Sequence, residues 1–244
     1  HAVTSLSDGT TFTYDQNGNM IWKNKGSDLT QYIYDSENRL IEIKTNNQRL
    51  AEYKYDGDGG RTKKIKYAAG QIVSTTRFVG SLYEETDGKW TSFIYLGDQR
   101  VGANVDGQIV FYHPNHLGST NLVTDKNGTI KELDEYDPYG KFSRQQKFGT
   151  PEQTTWHYFT GKQLDAESGL YYYGARYYDP SLGRFITPDT IVQNPSDPQT
   201  LNRYSYTSNN PINRIDPDGH KWSWKKFFNS FIGAALGAIA TIVT

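Results

Sequence analysis

Aspartate carboxylates are the main candidates for catalysis in this sequence, because the other common catalytic groups are missing from it. The 244-residue chain has no cysteine, and it contains neither a GxSxG nor an HExxH motif. Asp189 follows a proline and Asp216 precedes one. Two carboxylates held close together cannot both ionise easily, so one keeps a proton. Such a pair can act as general base and general acid on a peptide bond, with a water molecule between them.

A structural interpretation of Asp189 and Asp216 stands beside the catalytic one. Aspartates next to proline are common in turns, where the carboxylate accepts backbone N–H groups. Asp137 and Asp179, which also precede prolines, fit that role. Both interpretations stay open at this level. A coupled pair titrates as a unit, so sequence does not assign the base to one residue and the acid to the other.

The elements that must position these carboxylates are predicted to be β-strands joined by tight turns. The chain has 19 Tyr, 11 Phe, 5 Trp and 23 Gly, and 35% of its residues are hydrophobic. Tyr and Gly favour strands and turns over helices. The composition excludes a polytopic membrane protein, a disulfide-stapled module and a disordered tail. The net charge of −1 provides no field for nucleic acid, so no nucleic-acid partner is predicted for this region.

A Tyr-Asp motif recurs at the beginning of the chain, with the Tyr residues 20 and 21 positions apart. Its copies are Tyr14-Asp15, Tyr34-Asp35 and Tyr55-Asp56. Alternating apolar residues and a turn rich in Gly, Asn and Asp surround each copy, which indicates one β-hairpin per repeat. We expect the Tyr ring to pack on one strand face and the Asp to accept backbone N–H groups in the turn. Weaker hairpin turns at 87–88, 106–107 and 127–128 extend this pattern, so strands should succeed one another from residue 10 to about 142.

The repeats resemble the YD repeats of the Rhs/YD-repeat superfamily, and longer motifs resemble its Rhs-associated core domain. These motifs are HPNHLGST at 113–120, YDPYG at 136–140, FTGKQ at 159–163, LYYYGARYYDP at 170–180, GRFITPD at 183–189, NRYSY at 202–206, NNP at 209–211 and DPDG at 216–219. The resemblance covers residues 12–219 and implies an all-β fold, in which successive antiparallel hairpins form part of a spiralling shell. It implies YD-repeat hairpins over residues 1–110, a core domain or plug over 111–219, and the start of a C-terminal payload or apolar tail over 220–244.

In this family the shell encloses a C-terminal payload, usually a toxin. In several members the core is also an aspartyl peptidase that cuts the payload off. The resemblance places the two catalytic aspartates at Asp189 and Asp216. It places a catalytic-site arginine at Arg176, whose guanidinium could hold one carboxylate charged or polarise the scissile carbonyl. The substrate is then the chain itself, which makes the reaction intramolecular, and the predicted cleavage region comprises Gly219, His220, Lys221 and Trp222.

The sequence departs from the family pattern directly after Asp216. Many cleaving members read DPxGL, whereas this chain adds a third carboxylate at Asp218 and has His220 in place of Leu. The core is therefore either an autoproteolytic aspartyl peptidase that acts only on its own chain, or a plug that does not cleave. A further alternative is a cell-surface or adhesion YD-repeat protein without catalysis.

The end of the chain differs in kind from the rest. Residues 231–244 carry no charged side chain, and Gly233 and Gly237 form a GxxxG step that allows close helix packing in membranes. The stretch is shorter than the roughly 20 apolar residues that span a bilayer. It is predicted to be a short apolar helical tail. Such a tail is either a buried helix at the beginning of a downstream domain or an element that contacts a membrane.

The resemblance implies the chain's own C-terminal payload as its partner, with a secretion-system or carrier protein and an immunity protein as further partners. It also implies a secreted or cell-surface location. The chain begins at His1 without a visible signal peptide, and we interpret it as the C-terminal piece of a longer polypeptide. No cofactor is predicted, because His113 and His116 have no evident third metal ligand and the Asp-Gly turns do not fit an EF-hand loop.

Overall fold

The computed structural model describes residues 2–149, 155–192 and 194–224. A 14-stranded antiparallel sheet fills the first of these ranges, and each strand pairs with its neighbours in sequence. Its strands are β1 Thr11–Tyr14, β2 Met20–Lys25, β3 Asp28–Tyr34, β4 Leu40–Thr45, β5 Gln48–Tyr55, β6 Arg61–Ala68, β7 Gln71–Val79, β8 Tyr83–Thr86, β9 Lys89–Leu96, β10 Gln99–Val105, β11 Gln108–Pro114, β12 Thr120–Asp125, β13 Ile130–Tyr136 and β14 Phe142–Lys147. The predicted all-β class and the succession of hairpins are confirmed.

Two small sheets follow the large one. Four strands form the first, namely β15 Gln163–Asp165, β16 Leu170–Tyr172, β17 Tyr177–Asp179 and β18 Arg184–Phe185. Two form the second, namely β19 Arg214–Ile215 and β20 Ser223–Trp224. Short 3₁₀ turns at Phe159–Gly161, Pro198–Leu201 and Thr207–Asn209 are the helical elements of the described residues. The hairpin sheet continues to Lys147, so the predicted domain boundary at residue 110 falls inside it, and that division stays a prediction.

Turn chemistry explains why the hairpins close where they do. Asp87 and Gly88 both have positive φ, 53° and 87°, and so do Asp106 and Gly107, at 48° and 89°. Two successive positive φ angles are those of a type I′ turn, whose twist matches that of the flanking strands. The predicted Asp-Gly turns therefore join β8 to β9 and β10 to β11.

In the YD repeats the aspartate side chain stabilises the turn by accepting hydrogen bonds from backbone N–H groups of that turn. Its Oδ1 accepts N–H groups from residues two or four positions later in the chain. These bonds run from Asn19 to Asp15 at 2.8 Å, from Glu37 and Arg39 to Asp35 at 2.9 Å each, and from Asp58 and Gly60 to Asp56 at 3.1 and 2.7 Å. The same arrangement recurs at Asn115, Asp125 and Asp137, so the core motifs continue the repeat's turn.

The repeat tyrosine joins one hairpin to the preceding one. The Tyr34 hydroxyl donates to the carbonyl of Met20, the first residue of β2, at 2.9 Å. The Tyr55 hydroxyl donates to the carbonyl of Leu40, the first residue of β4, at 2.6 Å. Each ring thereby packs along the sheet. Its hydroxyl connects the turn of its own repeat to the first residue of the strand that follows the turn of the preceding repeat. This hydrogen bond explains why tyrosine, rather than phenylalanine, stands at these positions.

The core lies between the large sheet and the four-stranded sheet. Its first cluster joins residues of both, namely Phe12, Met20, Tyr32, Leu40, Ile43, Ala51, Tyr53, Leu170, Tyr177 and Ile186. A second, mainly aromatic cluster contains Leu117, Tyr158, Phe159, Tyr171, Tyr173, Tyr178, Phe185 and Tyr206. The tyrosine-rich motif at 170–180 is therefore the centre of the packing that holds the candidate site.

A buried ionic network adds a specific link between the two sheets. Arg61 and Lys64 of β6 reach Asp165 of β15 at 2.6 and 2.7 Å, and these side chains are at most 6% exposed. The Arg61 guanidinium also lies over the Tyr172 ring, 4.3 Å from its centroid. Burial alone would raise the pKa of the Asp165 carboxyl, but Arg61 and Lys64 lower it below its usual value.

No helix within residues 2–149, 155–192 and 194–224 is long and apolar enough to cross a membrane. In the same ranges, no group of three or more His, Cys, Asp or Glu side chains is placed to hold a metal ion. Gly233 and Gly237 lie outside the described residues. The helical tail and its membrane contact therefore stay predictions.

Candidate functional site

Three loops of the C-terminal part carry the candidate catalytic residues. Arg176 lies between β16 and β17, Asp189 follows β18, and Asp216 follows β19. Their exposed fractions are 6%, 5% and 2%. The structure brings together three side chains that are up to 40 positions apart in sequence.

Arg176 is the centre of the cluster. Its Nη2 lies 2.9 Å from Asp189 Oδ2 and 3.5 Å from Asp216 Oδ2, so both carboxylates share one guanidinium nitrogen. Its Nη1 donates to the Arg203 carbonyl at 3.0 Å, and its Nε donates to the Gly219 carbonyl. The guanidinium stacks on the Phe185 ring, 3.7 Å from the centroid. Because every nitrogen of this planar guanidinium has a partner, Arg176 holds the two carboxylates in a fixed geometry.

Asp189 has partners on both carboxylate oxygens. Oδ2 faces Arg176, whereas Oδ1 accepts the Ile191 N–H at 3.0 Å and lies 3.0 Å from His220 Nδ1. The Asp189 backbone is also fixed, because its N–H donates to the Arg203 carbonyl and its carbonyl accepts from Arg203 Nε. Asp189 therefore has a defined position and an adjacent cation.

Asp216 has a different environment. Its Oδ1 accepts the Gly219 N–H at 2.8 Å and the Asp218 N–H at 3.3 Å. Burial raises the pKa of the Asp216 carboxyl, although Arg176 and the Gly219 N–H act against that shift. Burial also lowers the pKa of Arg176, against the attraction of Asp189 and Asp216. The pKa of the Asp216 carboxyl therefore lies above its usual value.

The DPDG segment is folded directly onto Arg176. Gly219 has φ of 85°, and a Cβ there would lie 3.1 Å from the Arg176 backbone nitrogen and 3.2 Å from the Tyr173 carbonyl oxygen. The Asp218 carbonyl accepts the Ala175 N–H at 3.0 Å. Only glycine combines this backbone angle with so close an approach. In this packing the Gly219 carbonyl accepts a hydrogen bond from Arg176 Nε.

Asp218 binds the chain just after Gly219. Its Oδ1 accepts the backbone N–H groups of His220 and Lys221 at 2.9 and 3.1 Å. Burial raises the pKa of this carboxyl, but those hydrogen bonds outweigh the burial and lower it overall. Asp218 is therefore a charged acceptor at the nitrogen of the Gly219–His220 peptide bond.

A small cleft opens beside the two catalytic candidates, with room for about one water molecule. Arg176, Asp189, Asp216 and Trp222 contribute to its walls. Trp222 stacks on the Arg214 guanidinium, 3.8 Å from the ring centroid to Cζ. Beyond it, β20 pairs with β19, so the segment after Gly219 returns along the strand that leads to Asp216.

Sequence reasoning missed two basic residues of the site. Arg203 brackets Asp189, and Lys162 Nζ donates to the Pro217 carbonyl, which holds the DPDG loop from the other side. Burial lowers the pKa of the Lys162 ammonium group. Lys162 lies in the FTGKQ motif and Arg203 in the NRYSY motif. Their position inside these two motifs is the sequence signal that could have identified them as site residues.

The other predicted residues lie where turns need them. Asp137 Oδ1 accepts the N–H groups of Tyr139 and Lys141, and Asp179 Oδ1 accepts that of Ser181 at 2.8 Å. The Tyr-Asp pairs of the repeats likewise lie in the hairpin turns described above. Turn stabilisation therefore accounts for Asp137, whereas Asp179 also forms an ion pair with Lys23 at 3.1 Å. Turn stabilisation accounts for only part of the environment of Asp189 and Asp216, which also share Arg176.

The teneurin YD-shell model matches residues 3–77 and 73–212 of this chain, which is most of its length. The chain belongs to the teneurin YD-shell family. The resemblance to Rhs/YD-repeat proteins is thereby confirmed, and relatives of the chain agree with it. One is the tRNA nuclease WapA of Bacillus subtilis, which is 32% identical over 230 residues, or 91% of this YD-shell chain and 10% of WapA.

A relative with a different description is salivary gland surface protein 1 of Aedes aegypti. It is 27% identical over 98% of this chain and 8% of its own length. Among solved structures, the crystal structure of TcdB2-TccC3-Cdc42 matches with a TM-score of 0.66 and 22% identity, over 94% of this chain and 14% of that one. This likeness establishes the shared YD-shell fold. The chain thus spans about a tenth of the length of these relatives.

Proposed function

We propose that this chain is the C-terminal part of a toxin scaffold whose YD shell encapsulates a C-terminal payload. We further propose that its core releases that payload by aspartyl-type self-cleavage between Gly219 and His220. The observation that carries the proposal is the position of Arg176, which contacts Asp189, Asp216 and the Gly219 carbonyl at once. One cation thereby connects both candidate carboxylates to one peptide bond.

In the proposed mechanism, water in the cleft attacks the carbonyl carbon of Gly219. Asp189, which lies 2.9 Å from Arg176 Nη2, accepts the water proton as general base. The carbonyl oxygen becomes an oxyanion, and Arg176 Nε stabilises it at the position where the negative charge develops. Asp216 then gives its proton to the nitrogen of His220, the C–N bond breaks, and Gly219 becomes a carboxylate. Tethering of the bond in the site supplies the entropic advantage.

The payload and the partners follow from the same proposal. WapA is called a tRNA nuclease, and this chain matches only a tenth of it. We assign such an activity to payload sequence outside the YD shell. A carrier protein would form a complex with this shell, as TcdB2 does with TccC3 in the crystal structure named above. An immunity protein, export by a secretion system and a secreted or cell-surface location complete the proposal.

A second candidate function is that of a surface protein in which the core is a plug without catalysis. The observation in its favour is the similarity to salivary gland surface protein 1, which extends over 98% of the chain. In that case the contacts of Asp189 and Asp216 with Arg176 stabilise the plug and leave the chain intact.

Intact mass spectrometry of the full-length protein distinguishes the two functions. We expect the wild type to yield a fragment that begins at His220, and Asp189→Asn and Asp216→Asn to remain whole. Asp137→Asn is the matched control, because Asp137 also precedes a proline and holds a turn but lies apart from Arg176. A single full-length mass for the wild type would reject self-cleavage and favour the plug.

A further inference from the structure

We propose that His220 caps Oδ1 of Asp189 and so slows self-cleavage by competing with water for that oxygen. The effect on the rate rests on the proposed function above, whereas the cap itself does not. His220 acts as a positioning residue through Asp189.

The first support for the cap is the occupancy of Asp189. Oδ2 is taken by Arg176 and Oδ1 by the Ile191 N–H, both of which are parts of the packed protein. His220 Nδ1 lies 3.0 Å from the same Oδ1. The His220 side chain is 33% exposed and that of Asp189 only 6%, so the imidazole lies on the solvent side of the carboxylate. Water that approaches Oδ1 from this side competes with the imidazole for that oxygen.

The second support is that the backbone around His220 is fixed in the capping position. The His220 N–H donates to Asp218 Oδ1 at 2.9 Å, and the preceding Gly219 is bound through both its N–H and its carbonyl. Asp218 and His220 therefore cooperate. Asp218 orients the residue whose imidazole covers Asp189.

Leucine at this position would remove the imidazole contact from Asp189 Oδ1. A leucine side chain has no donor for Asp189 Oδ1, so a water molecule would become the natural partner of that oxygen. Asparagine, in contrast, carries an amide N–H₂ at a similar distance from the backbone and retains a donor. His220→Leu thus removes the cap, and His220→Asn preserves it.

Two measurements test the cap, and only one of them requires cleavage. In an Asp216→Asn background, where the chain stays whole, carbodiimide coupling of glycine ethyl ester followed by peptide mass spectrometry measures access to Asp189. We expect His220→Leu to raise labelling of Asp189 by about tenfold, the order expected when one hydrogen bond to a charged group is lost. His220→Asn and the exposed neighbour variant Lys221→Leu should label like the Asp216→Asn parent. Circular dichroism confirms that each variant is folded.

In the catalytic background, a time course of intact masses gives the cleavage rate. His220→Leu should cleave about tenfold faster than wild type, because water no longer has to compete with a hydrogen bond whose free energy corresponds to about that factor. Unchanged labelling of Asp189 in His220→Leu, or slower cleavage, would overturn the cap. Increased labelling with no cleavage in any variant would support the cap and reject the proposed self-cleavage, so the two failures are distinguishable.

Discussion

Asp165 links the four-stranded sheet to the hairpin sheet through buried ion pairs. Its two oxygens bind Arg61 and Lys64 at 2.6 and 2.7 Å in a region closed to water. Asp165→Asn keeps the size of the side chain but removes the negative charge. Two buried cations then lose their common partner, and only Lys64 keeps a second carboxylate nearby, that of Glu167 at 3.6 Å. Removal of one partner from a buried ion pair costs about 3–5 kcal/mol, so we expect this loss in the free energy of unfolding.

Urea unfolding, followed by tyrosine and tryptophan fluorescence, measures that loss. Glu135→Gln is the matched control, because Glu135 faces Arg144 at 3.9 Å on the surface with both side chains 54% exposed. An exposed pair of this kind contributes about 0–1 kcal/mol. A difference between the two variants of less than about 1 kcal/mol would refute the assignment of the network as a stabilising link between the two sheets.

The pH dependence of the Asp165 effect has a definite sign. Arg61 and Lys64 depress the folded-state pKa of this carboxyl, so its stabilising contribution is present above the unfolded pKa and is lost as the pH falls through the folded one. We therefore expect the difference between wild type and Asp165→Asn to be complete at pH 7. It should shrink only in acid, below about pH 4, where the unfolded chain takes up its proton.

Three further outcomes are expected. Gly219→Ala should abolish cleavage and lower the melting temperature, as measured by intact mass and calorimetry. The new Cβ would lie 3.1 Å from the Arg176 backbone nitrogen, and a positive φ is unfavourable for alanine. Tyr34→Phe should cost about 0.5–1.5 kcal/mol in urea unfolding, the net value of its hydrogen bond to Met20, and no loss would contradict the role of the hydroxyl. Burial, and then the charge of Glu132, raise the pKa of Asp134 to about 7, which favours its protonated form in the folded state. Stability should accordingly fall as the pH rises from about 4 to 7, and Asp134→Asn should melt higher than wild type at pH 8 but not at pH 4.

The hairpin sheet could be predicted from the sequence because its signals are local. The Tyr-Asp spacing and the Asp-Gly pairs at 87–88 and 106–107 specify turns within a few residues, and the structure has them there. The hydroxyl bond from Tyr34 to Met20 was missed, because it joins two consecutive repeats rather than residues of one turn.

The candidate site could be predicted only through the family resemblance. Arg176, Asp189 and Asp216 stand on three separate loops, and no periodicity in the sequence brings those loops together. The same holds for Arg61 and Asp165, which are 104 positions apart and meet only when the two sheets pack. Such contacts depend on tertiary packing, which composition and local pattern do not encode.

Hydrolysis of the full-length protein in water enriched in oxygen-18 is the most direct test of the central claim. Attack of water on the Gly219 carbonyl predicts an N-terminal product that ends at Gly219 with one heavy oxygen in its new carboxylate, and a second product that begins at His220. Asp189→Asn and Asp216→Asn should give neither product. A wild-type chain that stays whole under these conditions, or a product cut elsewhere, would contradict the account of Arg176, Asp189 and Asp216 as a self-cleaving site.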